Sequence, residues 1–588
     1  MHSRWLVLTM TLMLLLSLSM LSACGPTEVA DPPDNGEEVE EQEEDAEEVD
    51  DRYGGELVVA QGADGTYYMP PFTGDGNVYN TKNCIFDSIV RLDKDLVPQP
   101  LLAHSWDISE DGLSYTFYLR DDVTWHDGEP FDAYDVYFTY QLIANPLTFS
   151  AKRPYLDTVV GYSDLGAVVR ELDSQLGKES ISEAEHRERA MAAYEEWLEL
   201  DAIEVVDDYT ISFHLSEPQA SFITIATEVG VVPRHILEGA EDIMETDYIY
   251  KPITTGPFKF VEWVRGDYWI LEANEDYFLG RPYLDRIIFR VIPDETTRIH
   301  ELLAGRVHYI IPPSEDLDML QDSPGVKVLD GPAVSWDKFD FNLERHFFDD
   351  LRVRQAIAHA LDKETMVREL YYGWREIAHG PFNPSFAWAH NPDVHVYEYD
   401  PDRAMEILRE AGFDEESDGW YRNGQSMDFN HRTSTGHAAI ERVEVFQRHM
   451  RDINVDMTIE PLESAAWLDA IFSSNFDMMY YGWSGLPDPD AYIYTVHHSS
   501  AIGGRNVMKY RNDRVDELFD LARVAHDLDE RAEYYFEIQE ILAVEIPVIY
   551  FTYGYSYYGV HEDLEGFVPH PSKHYGIFFS IKDVYWAN

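Results

Sequence analysis

Met427-Asp428-Phe429-Asn430-His431-Arg432 is followed by His437 to Met450, Val455-Asp456-Met457-Thr458-Ile459, Ser464 to Phe472, and Phe476-Asp477-Met478-Met479-Tyr480-Tyr481. The first, third and fifth pieces are short and rich in apolar residues, as strands are; the second and fourth have helical length and spacing. Ser464 is a favoured helix N-cap. Strand and helix alternating in this order predict a mostly parallel sheet covered by helices, hence an α/β fold. Ligands of open α/β sheets lie beyond the carboxyl ends of the strands. The last strand runs into Gly482-Trp483-Ser484-Gly485-Leu486-Pro487-Asp488-Pro489-Asp490, where glycines and prolines set an irregular backbone. Trp483, Asp488 and Asp490 are therefore candidate ligand contacts. The competing reading is a rigid turn, with Trp483 packed inside and the carboxylates capping the next segment.

Working outward, 588 residues suggest two or three domains. The hydrophobic share of 45% allows large cores. Against 44 basic residues stand 110 acidic ones, a net charge of −66, so nucleic acid is excluded as a partner. Dense carboxylates suit a saline or alkaline setting. The start of the chain reads as a signal peptide, with Arg4 before an apolar run from Trp5 to Met20. That run is shorter than the ~20 residues of a spanning helix. It ends in Leu21-Ser22-Ala23-Cys24, which resembles the bacterial lipobox and makes Cys24 the expected lipidated residue. The alternative is an ordinary secretory cleavage beside a chance cysteine. Residues 25–53 read as an acidic disordered tether: 14 of the residues from Glu28 to Asp51 are Asp or Glu and none is Lys or Arg. Cys84, in an apolar context, is expected to be a buried small hydrophobe. An extracytoplasmic location on the cell membrane follows.

The folded part opens on the apolar strand Gly55-Glu56-Leu57-Val58-Val59-Ala60. Asp111-Gly112 and Asp127-Gly128 are hairpin signals in a β-rich stretch. Asp132 is placed to cap a helix carrying Val136, Tyr140 and Ile143 on one face. Pro401 to Ala411 reads as a helix with Asp400 as N-cap and Gly412 just past its end. Ser182-x-x-Glu185 is a capping box that opens a charged helix within a 150–205 insertion, taken as surface elaboration.

Several of these segments together resemble the family 5 extracellular solute-binding proteins. The resemblance rests on Pro100-Leu101-Leu102-Ala103-His104-Ser105-Trp106 with Asp111-Gly112, and on Val123-Thr124-Trp125-His126-Asp127-Gly128-Glu129-Pro130-Phe131 with Asp135-Val136. It continues through Thr255-Gly256-Pro257-Phe258, Phe341-Asn342, Val353-Arg354-Gln355-Ala356-Ile357 and Tyr399-Asp400-Pro401, in family order. It implies a two-lobed periplasmic-binding-protein-like fold with an interlobe cleft and an extra β-rich domain on the first lobe. Lobe I would comprise 54–90, 230–335 and 552–588, the extra domain 91–229, and lobe II 336–551. The implied function is to capture a solute, a peptide first and an oligosaccharide second, and to deliver it to the permease subunits of an ABC importer. A monomer without cofactor is expected.

The family places its ligand-facing loop at Trp483 to Asp490. Peptide-binding relatives often carry an aspartate three residues after this tryptophan to pair with the ligand's α-ammonium; here that place is Leu486. Asp488 or Asp490 would have to substitute, or the ligand is held otherwise. Further candidates are Arg432, for a carboxylate or a surface salt bridge, and Asn342, for a ligand backbone or its own loop. Tyr68 and Phe72 are candidates for stacking, with the core as an equal alternative. His497-His498, read as adjacent strand residues facing opposite ways, does not suggest a metal. No catalytic motif is visible, although 110 acidic residues leave a glycosidase open. A sensing or adhesive surface lipoprotein is the remaining rival.

Overall fold

A ten-stranded mixed sheet forms the backbone of the molecule. Its strands lie in the order Met457–Leu462, Phe429–Ser434, Met478–Ser484, Val326–Phe341, Val548–His561, Tyr309–Ile310, Glu56–Gln61, Arg286–Val291, Tyr268–Ala273, Phe258–Val264. The computed structural model describes residues 50–72, 79–148, 150–345, 347–572 and 575–587. Cys24 and most of the expected tether lie outside them.

The strand–helix alternation from Phe429 to Ser484 is present. Phe429–Ser434 pairs in parallel with Met457–Leu462 and with Met478–Ser484. Helices His437–Asp452 and Ser464–Phe472 connect them. The expectation of a mostly parallel sheet holds only here. Met478–Ser484 runs antiparallel to Val326–Phe341, and that strand antiparallel to Val548–His561. The two long strands cross between the lobes in opposite directions, Val326–Phe341 entering this sheet and Val548–His561 leaving it.

These two long strands carry the crossing. Their register breaks between Ala333 and Trp336 and again between Asp337 and Lys338. Such bulges bend and twist a strand pair locally. The breaks sit beside the crossings expected at 335/336 and 551/552. Apolar residues are buried on either side of them: Leu57, Phe289, Tyr309 and Phe578 in the first lobe, Phe339, Phe446, Met478 and Phe551 in the second.

The extra β-rich region holds a four-stranded antiparallel sheet, ordered Ala103–Ile108, Ser114–Leu119, Thr210–His214, Ile203–Asp207. Asp111-Gly112 turns the first hairpin, with Gly112 at φ +68° where a side chain is disfavoured. Helix Ala133–Ala144 covers the sheet. Asp132 accepts from the Tyr134 and Asp135 amides, and Asp135 returns the bond in a reciprocal capping box. The 150–205 segment is not surface elaboration. Its helices Tyr162–Gly177 and Glu183–Leu198 bury Leu165, Val169, Tyr194 and Trp197 in the core of this region. Four apolar side chains at helical spacing cannot be left in water without losing their burial energy.

Candidate functional site

Where Met478–Ser484 ends, a cavity of about 550 Å³ opens between the second lobe and the extra region. One wall is the loop from Trp483 to Leu486 with Asp490, Tyr494, Arg505 and Arg523. The other is Tyr155, Asp157 and Thr158 with Gln219 and Ile225.

Trp483 belongs to the strand and lies opposite Trp336 in the antiparallel ladder. It is half-buried. The Arg505 guanidinium sits over its ring, 4.6 Å from the centroid. The loop that follows is held from beneath: Tyr492 Oη donates to the Trp483 carbonyl at 3.0 Å. A Cβ at Gly485 would overlap the Tyr492 ring, so this position needs glycine. Next comes a π-helical turn, Asp490–Tyr494, a rare form often met at functional sites.

Asp490 lines the cavity and is nearly fully buried. Ser221 Oγ, from the opposite wall, donates to its Oδ2 at 2.7 Å, and Arg523 Nε lies 3.6 Å from Oδ1. Burial raises its pKa, against Arg523 and the Ser221 hydrogen bond. Thr158 Oγ1 donates to Gln219 (2.6 Å), and Gln219 Nε2 donates to Ser221 Oγ (3.0 Å). The Ala220 amide donates to the Arg523 carbonyl at 2.9 Å. This polar network joins the extra region to the second lobe.

Asp488 faces away from the cavity. Arg531 NH1 and NH2 donate to its two oxygens at 3.2 and 2.9 Å, and the Asp490 amide donates to Oδ1 at 2.9 Å. Its turn-forming alternative is thus what the geometry contains. Arg432 donates Nε to Glu460 at 3.0 Å and also bonds the Asn475 carbonyl. Asn342 donates to the carbonyls of Ser474 (2.9 Å) and Phe476 (3.1 Å) and accepts the Glu344 amide. Tyr68 packs against Trp263 and Phe260 in the first-lobe core, where burial raises its phenol pKa. Phe72 joins the same core and borders a separate cavity of about 500 Å³ with Phe138 and Leu237. Of the sequence candidates, only Trp483 and Asp490 are brought together.

His497 is in the short helix Thr495–His497, not on a strand; its ring donates to the Ile493 carbonyl and accepts from Tyr550 Oη at 2.6 Å. Among the described residues, no group of three His, Cys, Asp or Glu side chains is placed to hold a metal ion. The sequence reading missed Arg505, Arg523, Tyr494 and Asp157. Arg505 follows Gly503-Gly504, a loop signal that marks an exposed cation. Asp157 had no signal beyond its segment.

Two lobes joined by two bent strands, with an aromatic and charged cavity at a strand end, define a two-lobed solute-binding protein. The chain belongs to the bacterial extracellular solute-binding proteins of family 5, whose middle region matches residues 97–504. It is similar to the oligopeptide-binding protein AppA of Bacillus subtilis (strain 168), 29% identical over 532 residues, covering 88% of this chain and 90% of the relative. It is also similar to heme-binding protein A of Haemophilus influenzae, 28% identical over 526 residues, covering 87% of this chain and 90% of that one. The solved structure of B. subtilis AppA with a nonapeptide superposes with a TM-score of 0.65 at 27% identity, covering 91% of this chain and 100% of the other.

Proposed function

We propose that the protein captures a peptide in this cleft and delivers it to the permease of an ABC importer. One observation carries the reading. Met478–Ser484 pairs with Phe429–Ser434 only at Met478 and Met479. From Tyr480 to Ser484 that edge has no strand neighbour among the described residues. An extended peptide can add itself to such an edge, its main chain supplying affinity and alternate side chains entering pockets. Trp483 then offers a large aromatic face at the end of the strand. The oligopeptide-binding relative, similar over nearly the whole chain, supports the same solute class. The oligosaccharide reading keeps support from Trp483 and from Leu486, since neither requires an ammonium group.

A solute touching both walls binds the closed form better and shifts the lobes toward it. Anchoring through Cys24 and a monomeric state belong to the same reading. Native mass spectrometry of the purified protein identifies the co-purified solute, and a peptide is expected. Truncating an aromatic anchor costs ~2 kcal/mol or more, so Trp483→Ala weakens that solute roughly thirtyfold or more. Calorimetry on the folded variant checks this; wild-type affinity would make the loop purely structural.

A further inference from the structure

The loop between helices Asp513–Val524 and Leu528–Glu545 of the second lobe sets one histidine against the extra region. The His526 ring meets Tyr115 edge-on, with centroids 6.2 Å apart. It also lies on the Asp111-Gly112 turn, where a Cβ at Gly112 would overlap its Nε2. Pro218 lines the same slot. Both ring nitrogens are shielded from water, and neither has a hydrogen-bond partner among the described residues.

The charges packed around this slot do not help a second proton onto the ring. Asp111 turns its carboxylate to the Ser109 hydroxyl at 2.6 Å and the Leu113 amide at 3.1 Å. Glu217, next to Pro218, lies 3.9 Å from Arg523. Asp527 caps the following helix by accepting the Glu530 amide. Tyr115 is neutral and donates its hydroxyl to the Gln219 carbonyl. The charge that acts on the ring is the guanidinium of Arg531, whose own partner is Asp488. Burial first, and that cation second, push the imidazole pKa down.

The seam that buries His526 also holds the 550 Å³ cavity and is bridged by Ser221 to Asp490 and by Ala220 to Arg523. Parting it returns both nitrogens to water, where an imidazole takes its proton near pH 6.5. Resting on the capture reading above, whichever solute is captured, we infer that His526 is a proton-operated catch between the extra region and the second lobe. Neutral, the ring lets the two walls dock around the solute; protonated, it favours their separation and the solute's release. The advantage of docking is complete above pH ~6.5 and falls below it, by up to tenfold in the docking equilibrium per pH unit. Asp490 works the other way, since burial raises its pKa and acid therefore favours docking there. Comparing variants isolates the histidine.

The Ala220 amide, bonded across the seam at 2.9 Å, reports its opening. Hydrogen exchange of the mature protein as purified is followed at about pH 7.5 and 5.5, one unit either side of the free imidazole value. Protection is corrected for the intrinsic rate at each pH. Wild type should lose roughly tenfold of its Ala220 protection on acidification relative to His526→Leu and His526→Gln. Amides of the strand Glu56–Gln61, in the first-lobe core, should respond alike in all three proteins, and circular dichroism verifies folding. Parallel responses at Ala220 in wild type and both variants overturn the catch and leave the capture reading intact. A divergence of equal size at Glu56–Gln61 also overturns it, because the histidine would then act on global stability. A divergence confined to the seam, in a protein that binds neither peptide nor oligosaccharide, supports the catch and overturns the capture reading instead.

Discussion

Asp488 and Arg531 show how a carboxylate in a suggestive loop is taken up by the interior. Their side chains are 5% and 3% exposed, and Trp388 lies 5.1 Å from the guanidinium. Removing one partner of such a pair leaves a buried charge, at a cost of ~3–5 kcal/mol. Arg531→Met should therefore lower stability by about that much in urea unfolding, and adding Asp488→Leu should recover most of it. A loss under ~1 kcal/mol would show that water reaches Asp488. His431 presents the opposite case: its ring sits between Phe339 and Phe446, and neither ring nitrogen has a hydrogen-bond partner. Burial lowers its pKa to about 3. The unfolded state, with a value near 6.5, binds the proton first. Stability from keeping this ring neutral is complete above pH 6.5 and falls as the pH drops toward 3, by up to ~1.4 kcal/mol per pH unit. His431→Phe fits the same aromatic slot and should flatten the loss between pH 6.5 and 4.5. An unchanged slope would mean that the ring is already charged or hydrated.

At the scale of elements, the two long, bulged strands connect the lobes. Their bulges bring Gly554 against Ser335, so that a Cβ at Gly554 would overlap Ser335 Oγ. Gly554→Ala should lower the melting temperature and shrink the contraction that small-angle scattering records when saturating solute is added. Gly177→Ala, at an open helix end, serves as the neutral control. Full contraction in folded Gly554→Ala would place the hinge elsewhere. The burial of the 150–205 segment is not legible in its local composition. Charged residues stand out in Glu183–Leu198, yet its Tyr194 and Trp197 join Leu165 and Val169 of Tyr162–Gly177 in one core. The short stretch before this hairpin, Tyr155 to Thr158, becomes a wall of the cavity. A local reading sees polar composition; only the partner surface reveals which face is inside.

For the whole molecule, 110 acidic side chains outnumber 44 basic ones, and several of the arginines are shared between two acids. Arg514 meets Glu537 and Glu517, and Arg403 meets Glu406 and Glu410. The remaining carboxylates repel one another over ~30 Å at 0.01 M salt but only ~3 Å at 1 M. The melting temperature should therefore climb between those two concentrations of sodium chloride. A flat response would indicate that specific bound cations already neutralise the surface.

The sequence alone determined what depends on local pattern and on motif order: the α/β alternation, the helix caps at Asp132 and Asp400, the family, and the Trp483 loop at a strand end. Those properties are written in spacing and turn chemistry over a few residues. Tertiary structure decided which charges are engaged. Asp488 is 43 residues from Arg531, and Asp490 meets Ser221 across 269 residues. Arg505 and Asp157 face one cavity from distant segments. Whether a carboxylate is a ligand contact or half of an ion pair depends on what the rest of the chain folds against it, and no local spacing encodes that.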